Sequence, residues 1–194
     1  TTSTGEIAPG VNYRIEGIPP GTWDVSCTKA GFEEQSQTGI DVTANQTETV
    51  DFSLTPIDYP LPPGWDFIMT PVSHSISIPE GFTPEFNDEP LDYGDYIGVF
   101  YIDDEGNPAC GGALQFQYED DVVSAFGDDS FTSEKDGFNT GDSLIWKIYR
   151  QAQSQTYNAT VTYNEAFPQS DGLFYPNGLS QLAALESTSW TTHD

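Results

Sequence analysis

Apolar positions along this chain come in short runs or in alternation, and each run stops at a cluster of Gly, Pro, Asn or Asp. That rhythm specifies strands, because a strand turns successive side chains to opposite faces, whereas a helix needs an apolar stripe at three- and four-residue spacing. The clearest run, GDYIGVFYI from Gly94 to Ile102, ends at the turn formers Asp103, Asp104, Gly106, Asn107 and Pro108 and resumes at Ala113 with LQFQY. It predicts a hairpin with an acidic tip. Trp65 to Met69, His74 to Ile78, Val122 to Phe126, Leu144 to Tyr149 and Tyr157 to Tyr163 are further strand candidates, and the polar Gln151 to Thr156 reads as the connection between the last two. Helical signal is confined to Leu179 to Leu185, with Ser180 as its start. The pattern predicts an all-β chain of two antiparallel β-sandwich units, the first partial, with at most a short helix near the C-terminus. The absence of crossover helices excludes a βαβ arrangement.

A boundary falls at 55–64, TPIDYPLPPG, where four prolines among ten residues predict a short, stiff, extended linker. It divides a unit at 1–54 from a β-sandwich at 65–187, with a tail at 188–194. In the first unit, strands are expected at Tyr13 to Glu16, Thr22 to Thr28 and Glu48 to Leu54, with turns at Pro19-Pro20-Gly21, Ala30-Gly31 and Ala44-Asn45. A unit of that size without a disulfide buries too little surface to be comfortable alone.

Charge narrows the choice of partner. Thirty-one acidic residues against 5 basic ones give a net charge of −26 in 194 residues. Neither nucleic acid nor an anionic bilayer suits such a chain, since both need basic neutralisation. No run is long and apolar enough to predict membrane insertion. Cys27 and Cys110 make no disulfide framework; a bridge between them and two buried thiols both remain open, with the thiols favoured.

No catalytic residue is assigned. His74 is the one credible base, Ser73, Ser75 and Ser77 alternate along a strand, and GxSxG and HExxH frames are absent. The acids of 127–142 carry the candidate metal chemistry: Asp128, Asp129, Glu134, Asp136 and Asp142 offer hard oxygen ligands of the kind calcium takes. The alternative is an acidic turn closed by Lys135 and side-chain caps. Phe174 and Tyr175, beside Pro176-Asn177-Gly178, together with Trp146, are the candidate ligand-binding aromatics, on which a sugar ring would stack.

Tyr13 with Ile15 and Gly17, Pro20-Gly21, Trp23 and Val25, the Gly31-Phe32 turn, and the Asn45 turn leading to Val50, Phe52 and Leu54 resemble the second half of the carboxypeptidase regulatory-like domain. That domain is a transthyretin-like sandwich found in strings in secreted and surface proteins of the Bacteroidetes. Its first strands would precede Tyr13 and are largely missing, so they were trimmed away or come from elsewhere. Trp65, His74 to Pro79, Gly94 to Tyr101, Cys110-Gly111-Gly112, Ala125 to Asp129, Lys135 to Phe138 and Gly141 with Trp146-Lys147 resemble an extracellular β-sandwich module of the same bacteria with no assigned catalytic residue. These resemblances imply an extracellular or cell-surface location and a non-catalytic accessory role in spacing, display or adhesion. The partners implied are other domains of the same exported protein. The alternative function is a carbohydrate-binding module that takes a polysaccharide or surface glycan through its loop aromatics.

Overall fold

The computed structural model of the chain describes residues 15–29, 31–117, 120–129 and 131–189. Tyr13, Tyr118, His193 and the tail beyond residue 189 lie outside the described residues. The chain forms two compact units, Thr1–Pro56 and Ile57–Asp194.

In the first unit β1 (Gly21–Cys27) pairs antiparallel with β2 (Gln35–Val42), with a register shift between Trp23 and Val25. At that irregularity the Gly39 N–H donates to Asp24 Oδ1 at 3.1 Å, so a side chain replaces a ladder bond. Alternation puts Trp23, Val25 and Cys27 on one face of β1, all of them half-buried. The strand expected at Glu48 to Leu54 joins no ladder. The chain there is tied to the β2 side by single bonds, Gln37 Nε2 to the Asp51 carbonyl at 2.6 Å and the Glu33 N–H to the Thr55 carbonyl at 2.9 Å.

The second unit contains β3 (Ser73–Ile78), β4 (Glu85–Phe86), β5 (Glu89–Pro90), β6 (Tyr96–Ile102), β7 (Pro108–Gln115), β8 (Asp121–Phe126), β9 (Ile145–Arg150), β10 (Gln155–Tyr163) and β11 (Leu179–Ser187). The larger layer runs β7-β6-β9-β10-β11, with the small β4-β5 hairpin added beyond β11. The smaller layer is β8-β3, joined to the first three residues of β11. One strand thus belongs to both layers. Its pairings with β3 and β4 are parallel, a departure from the wholly antiparallel expectation.

Ile76 and Ile78 of β3 and Val123 and Ala125 of β8 share one sealed cluster with Ile97, Val99, Trp146, Ile148, Leu182 and Leu185. The layers approach so closely at β7 that a Cβ on Gly112 would overlap the Ser124 carbonyl. Gly111 sits opposite the Val99–Phe100 step as the extra residue of a bulge.

Three further expectations need correcting. Leu179 to Leu185 is strand, not helix, and its pairing with β10 and β3 supplies the reason. Cys110-Gly111-Gly112 lies inside β7, which starts at Pro108 and not at Ala113. Trp65 to Met69 forms no strand; it belongs to a strap that crosses the outer face of β6. There Trp65 packs edge-on against Phe100 at 5.1 Å and against Tyr96 and Tyr149, while its indole N–H donates to Thr156 Oγ1 at 3.2 Å. The strap is held from its beginning, since Gln115 Nε2 donates to the Ile57 carbonyl at 2.7 Å and the Tyr96 hydroxyl donates to the Tyr59 carbonyl. A Cβ on Gly98 would overlap the Trp65 ring. Covered on both faces, β6 reads as a nearly continuous apolar run.

Candidate functional site

The acidic loop after β8 is built from turns whose carboxylates accept nearby backbone N–H groups, which is how Asp stabilises irregular chain. Asp128 Oδ1 accepts from the Asp136 N–H at 2.9 Å and Asp129 Oδ1 from the Phe131 N–H at 2.8 Å. Asp136 Oδ2 accepts the Thr132 hydroxyl at 2.9 Å, and Glu134 Oε1 accepts the Ser133 hydroxyl at 2.9 Å. Asp142 Oδ2 takes both the Asn139 N–H at 2.8 Å and the Lys135 ammonium at 2.7 Å. Lys135 Nζ also donates to the Ile102 carbonyl at 2.7 Å, its backbone N–H donates to Asp104 Oδ2 at 3.0 Å, and its ammonium lies 5.4 Å from the centre of the Tyr101 ring.

The loop is therefore locked onto the β6–β7 tip by one lysine. Among the described residues no three His, Cys, Asp or Glu side chains gather into a group able to hold a metal ion. The five acids expected to share a calcium ion are spread among these separate bonds. Asp136 Oδ1 is buried without a hydrogen-bond partner. Burial, and then the Asp136 charge, push the Tyr101 phenol up to about 12.

The aromatic candidates separate. Trp146 is 2% exposed, and its indole N–H donates to the Tyr163 hydroxyl at 2.8 Å. Phe174 is 1% exposed and stacks on Phe138 with ring centres 5.2 Å apart. Both are core residues, and neither offers a face to a sugar. Tyr175 is half-buried, with its hydroxyl donating to Asp171 Oδ2 at 2.7 Å.

Beneath this turn lies His74. Its Nδ1 accepts the Tyr175 N–H at 3.3 Å, which puts the ring proton on Nε2, 3.0 Å from Ser180 Oγ. A histidine within hydrogen-bond reach of a serine has the form of a base and its nucleophile. Here both side chains are fully buried. The pair fastens the 174–178 turn to β3 and β11 and faces no solvent. Burial lowers the His74 pKa below 6.5, with the nearby Asp171 charge opposing it.

A buried ionic group was not legible in the sequence. Arg150 at the end of β9 reaches Asp92 at 2.8 Å and Asp95 at 3.1 Å, and Asp95 also accepts the Gln151 N–H at 2.7 Å. Asp95 is 1% exposed, and its pKa is raised by burial even though Arg150 and two backbone N–H groups pull it down. More than fifty residues separate the partners, too far for any local spacing to show. The only signal was an aspartate at the head of an apolar strand. Cys27 and Cys110 are both free thiols; Cys27 is half-buried, and burial pushes Cys110 up to about 11.

The described residues thus define a class, an all-β protein whose best-organised polar groups serve packing and turn closure. Residues 10–55 match the carboxypeptidase regulatory-like domain family, which is a regulatory, non-catalytic accessory family. The match takes in β1, β2 and the chain up to Thr55, and does not extend into the second unit. No curated protein and no solved structure matches the chain.

Proposed function

We propose that this chain is a non-catalytic accessory portion of an exported, multidomain bacterial protein, in which it spaces, displays or helps to adhere neighbouring domains. The observation that carries the reading is the carboxypeptidase regulatory-like match at 10–55, followed in the same chain by a separate compact β unit. Tandem β modules of this kind are scaffolds on which function is set by what they hold apart. The balance of 31 acids against 5 bases supports a partner other than nucleic acid. The resemblance of the second unit to an extracellular module of Bacteroidetes supports the same location. Calcium is left out of this reading, because Lys135 already supplies a positive charge among the acids of the loop.

Surface proteolysis of intact cells of the source organism, followed by peptide mass spectrometry, tests the proposal. Peptides from the exposed β6–β7 tip and the 128–136 loop should be released from whole cells. Their recovery solely from the cytosolic fraction sinks it.

A further inference from the structure

The second unit has an open cleft of about 180 Å³ at the β10–β11 edge, lined by Asn158, Ala159, Thr160, Glu186, Ser187 and Thr188. Its lining joins residues that carry amide, hydroxyl and carboxylate groups to a surface that is mostly carbon. Two of the hydroxyls are spent on the walls: Ser187 Oγ donates to the Asn158 carbonyl at 2.6 Å, and Thr160 Oγ1 to the Glu186 carbonyl at 3.4 Å. Among the described residues, the Asn158 amide and the Glu186 carboxylate have no hydrogen-bond partner. The cleft therefore presents one donor–acceptor amide and one strong acceptor on fixed backbone, the groups that read a vicinal diol.

The strand extends this chemistry beyond the cleft. Along β10, Tyr157, Ala159, Val161 and Tyr163 turn inward against the core, while Asn158, Thr160 and Thr162 stand exposed on the outer face beyond Thr156, which accepts the Trp65 indole N–H. Strand geometry spaces them at about 6.8 Å intervals, a straight row of uncharged hydrogen-bonding side chains. Register adds Lys147 beside Asn158 and Glu186 beside Thr160. Carbon makes up most of the cleft surface, which suits the C–H face of a sugar ring, while an anionic polymer meets a chain of charge −26.

We propose that the β10–β11 cleft and the outer row of β10 bind a neutral oligosaccharide chain, with one sugar ring seated between Asn158 and Glu186. The volume suits a single ring, being well below the roughly 300 Å³ at which drug-sized pockets begin. Among the described residues no aromatic ring lines the cleft, which makes the interaction weak. The site is separate from the aromatic turn, and it does not depend on the accessory role proposed above.

The test titrates the full chain, labelled with nitrogen-15, with cellohexaose, xylohexaose and maltohexaose in turn, and with polygalacturonate as the anionic control. At least one neutral hexasaccharide should shift amides of β10 and β11 with a Kd of about 1 mM, while polygalacturonate leaves them unmoved. Asn158→Ala and Glu186→Gln should each weaken binding about fivefold or more at unchanged Tm, whereas Tyr175→Ala should bind as the parent does. No shift in β10 or β11 at about 20 mM of any of the three sugars, or shifts that survive both cleft substitutions, overturns the proposal. Surface exposure, measured by proteolysis of cells, stands or falls without reference to this titration.

Discussion

From Ile57 onward the chain seals its large apolar side chains, with Trp65, Ile76, Ile97, Val99, Trp146 and Ile148 at 2% exposure or less. In the unit ending at Pro56, by contrast, Trp23, Val25, Ile40, Val50 and Phe52 all stay half-buried. Aromatic content is part of the difference, with 4 of 56 residues in the first unit against 22 of 138 in the second, and layering is the rest. The second unit has two sheets that share β11 and a strap across the outside of β6, so its apolar faces meet other apolar faces. The described part of the first unit has one two-stranded sheet, and two strands alone are marginal in water. Cooperative stability should therefore reside in the second unit.

Urea denaturation followed by far-ultraviolet circular dichroism can break that contrast. Trp65→Ala should cost about 3–5 kcal/mol, because it empties a ring-sized space under the strap and frees Gly98 and Phe100 to solvent. Arg150→Ala should cost about 3 kcal/mol, since Asp95 would be left buried without its cation. Lys135→Gln breaks a partly buried ion pair and should cost about 1 kcal/mol. Trp23→Ala, on the open face of β1, should leave the second unit's midpoint unmoved and cost under about 1 kcal/mol in all. A Trp23 effect equal to that of Trp65 would end the distinction between the units.

Acid sharpens the same contrast, because the buried histidine lies only in the second unit. The folded pKa of His74 lies below 6.5, so as pH falls the unfolded chain takes up its proton first. The stability tied to His74 is thus complete above 6.5 and drains away as pH drops toward the folded value. Between about pH 7 and about pH 5 the parent should lose Tm relative to His74→Gln. A slope unchanged in the variant assigns the acid sensitivity to other groups.

The strands that alternate or run apolar between clear turns were readable, as β3, β6, β8, β9 and β10 illustrate. The failures have separate physical causes. β11 imitates a helix because a bulge leaves Ala183 unpaired, which sets Leu182 and Leu185 three apart while both still face the core. The strap imitates a strand because Trp65 is buried and Phe67 half-buried by ring packing on β6 and β8, and not by ladder pairing. β2 escaped because Gln, Thr, Gly and Asp dominate it. For the site, residue chemistry was legible but direction was not. Nothing in FYPNG distinguishes a ring aimed at solvent from one stacked on Phe138, and the β10 cleft is made of ordinary strand residues whose partners lie about thirty positions away.

The strand shared by the two layers also decides how the second unit responds to force. β3 is its first strand and β11 its last, and they lie parallel at Ser75 to Ser77 and Leu179 to Gln181. Once the strap has been peeled away, tension through the two chain ends draws these neighbours in opposite directions along a common axis. Their hydrogen bonds are then loaded together in shear, where a hairpin pulled from its open end would lose them one by one. Resistance to pulling is a matter of the unfolding rate and not of equilibrium stability. This parallel contact is small in area, and a load applied through the unit's two ends would reach it in shear.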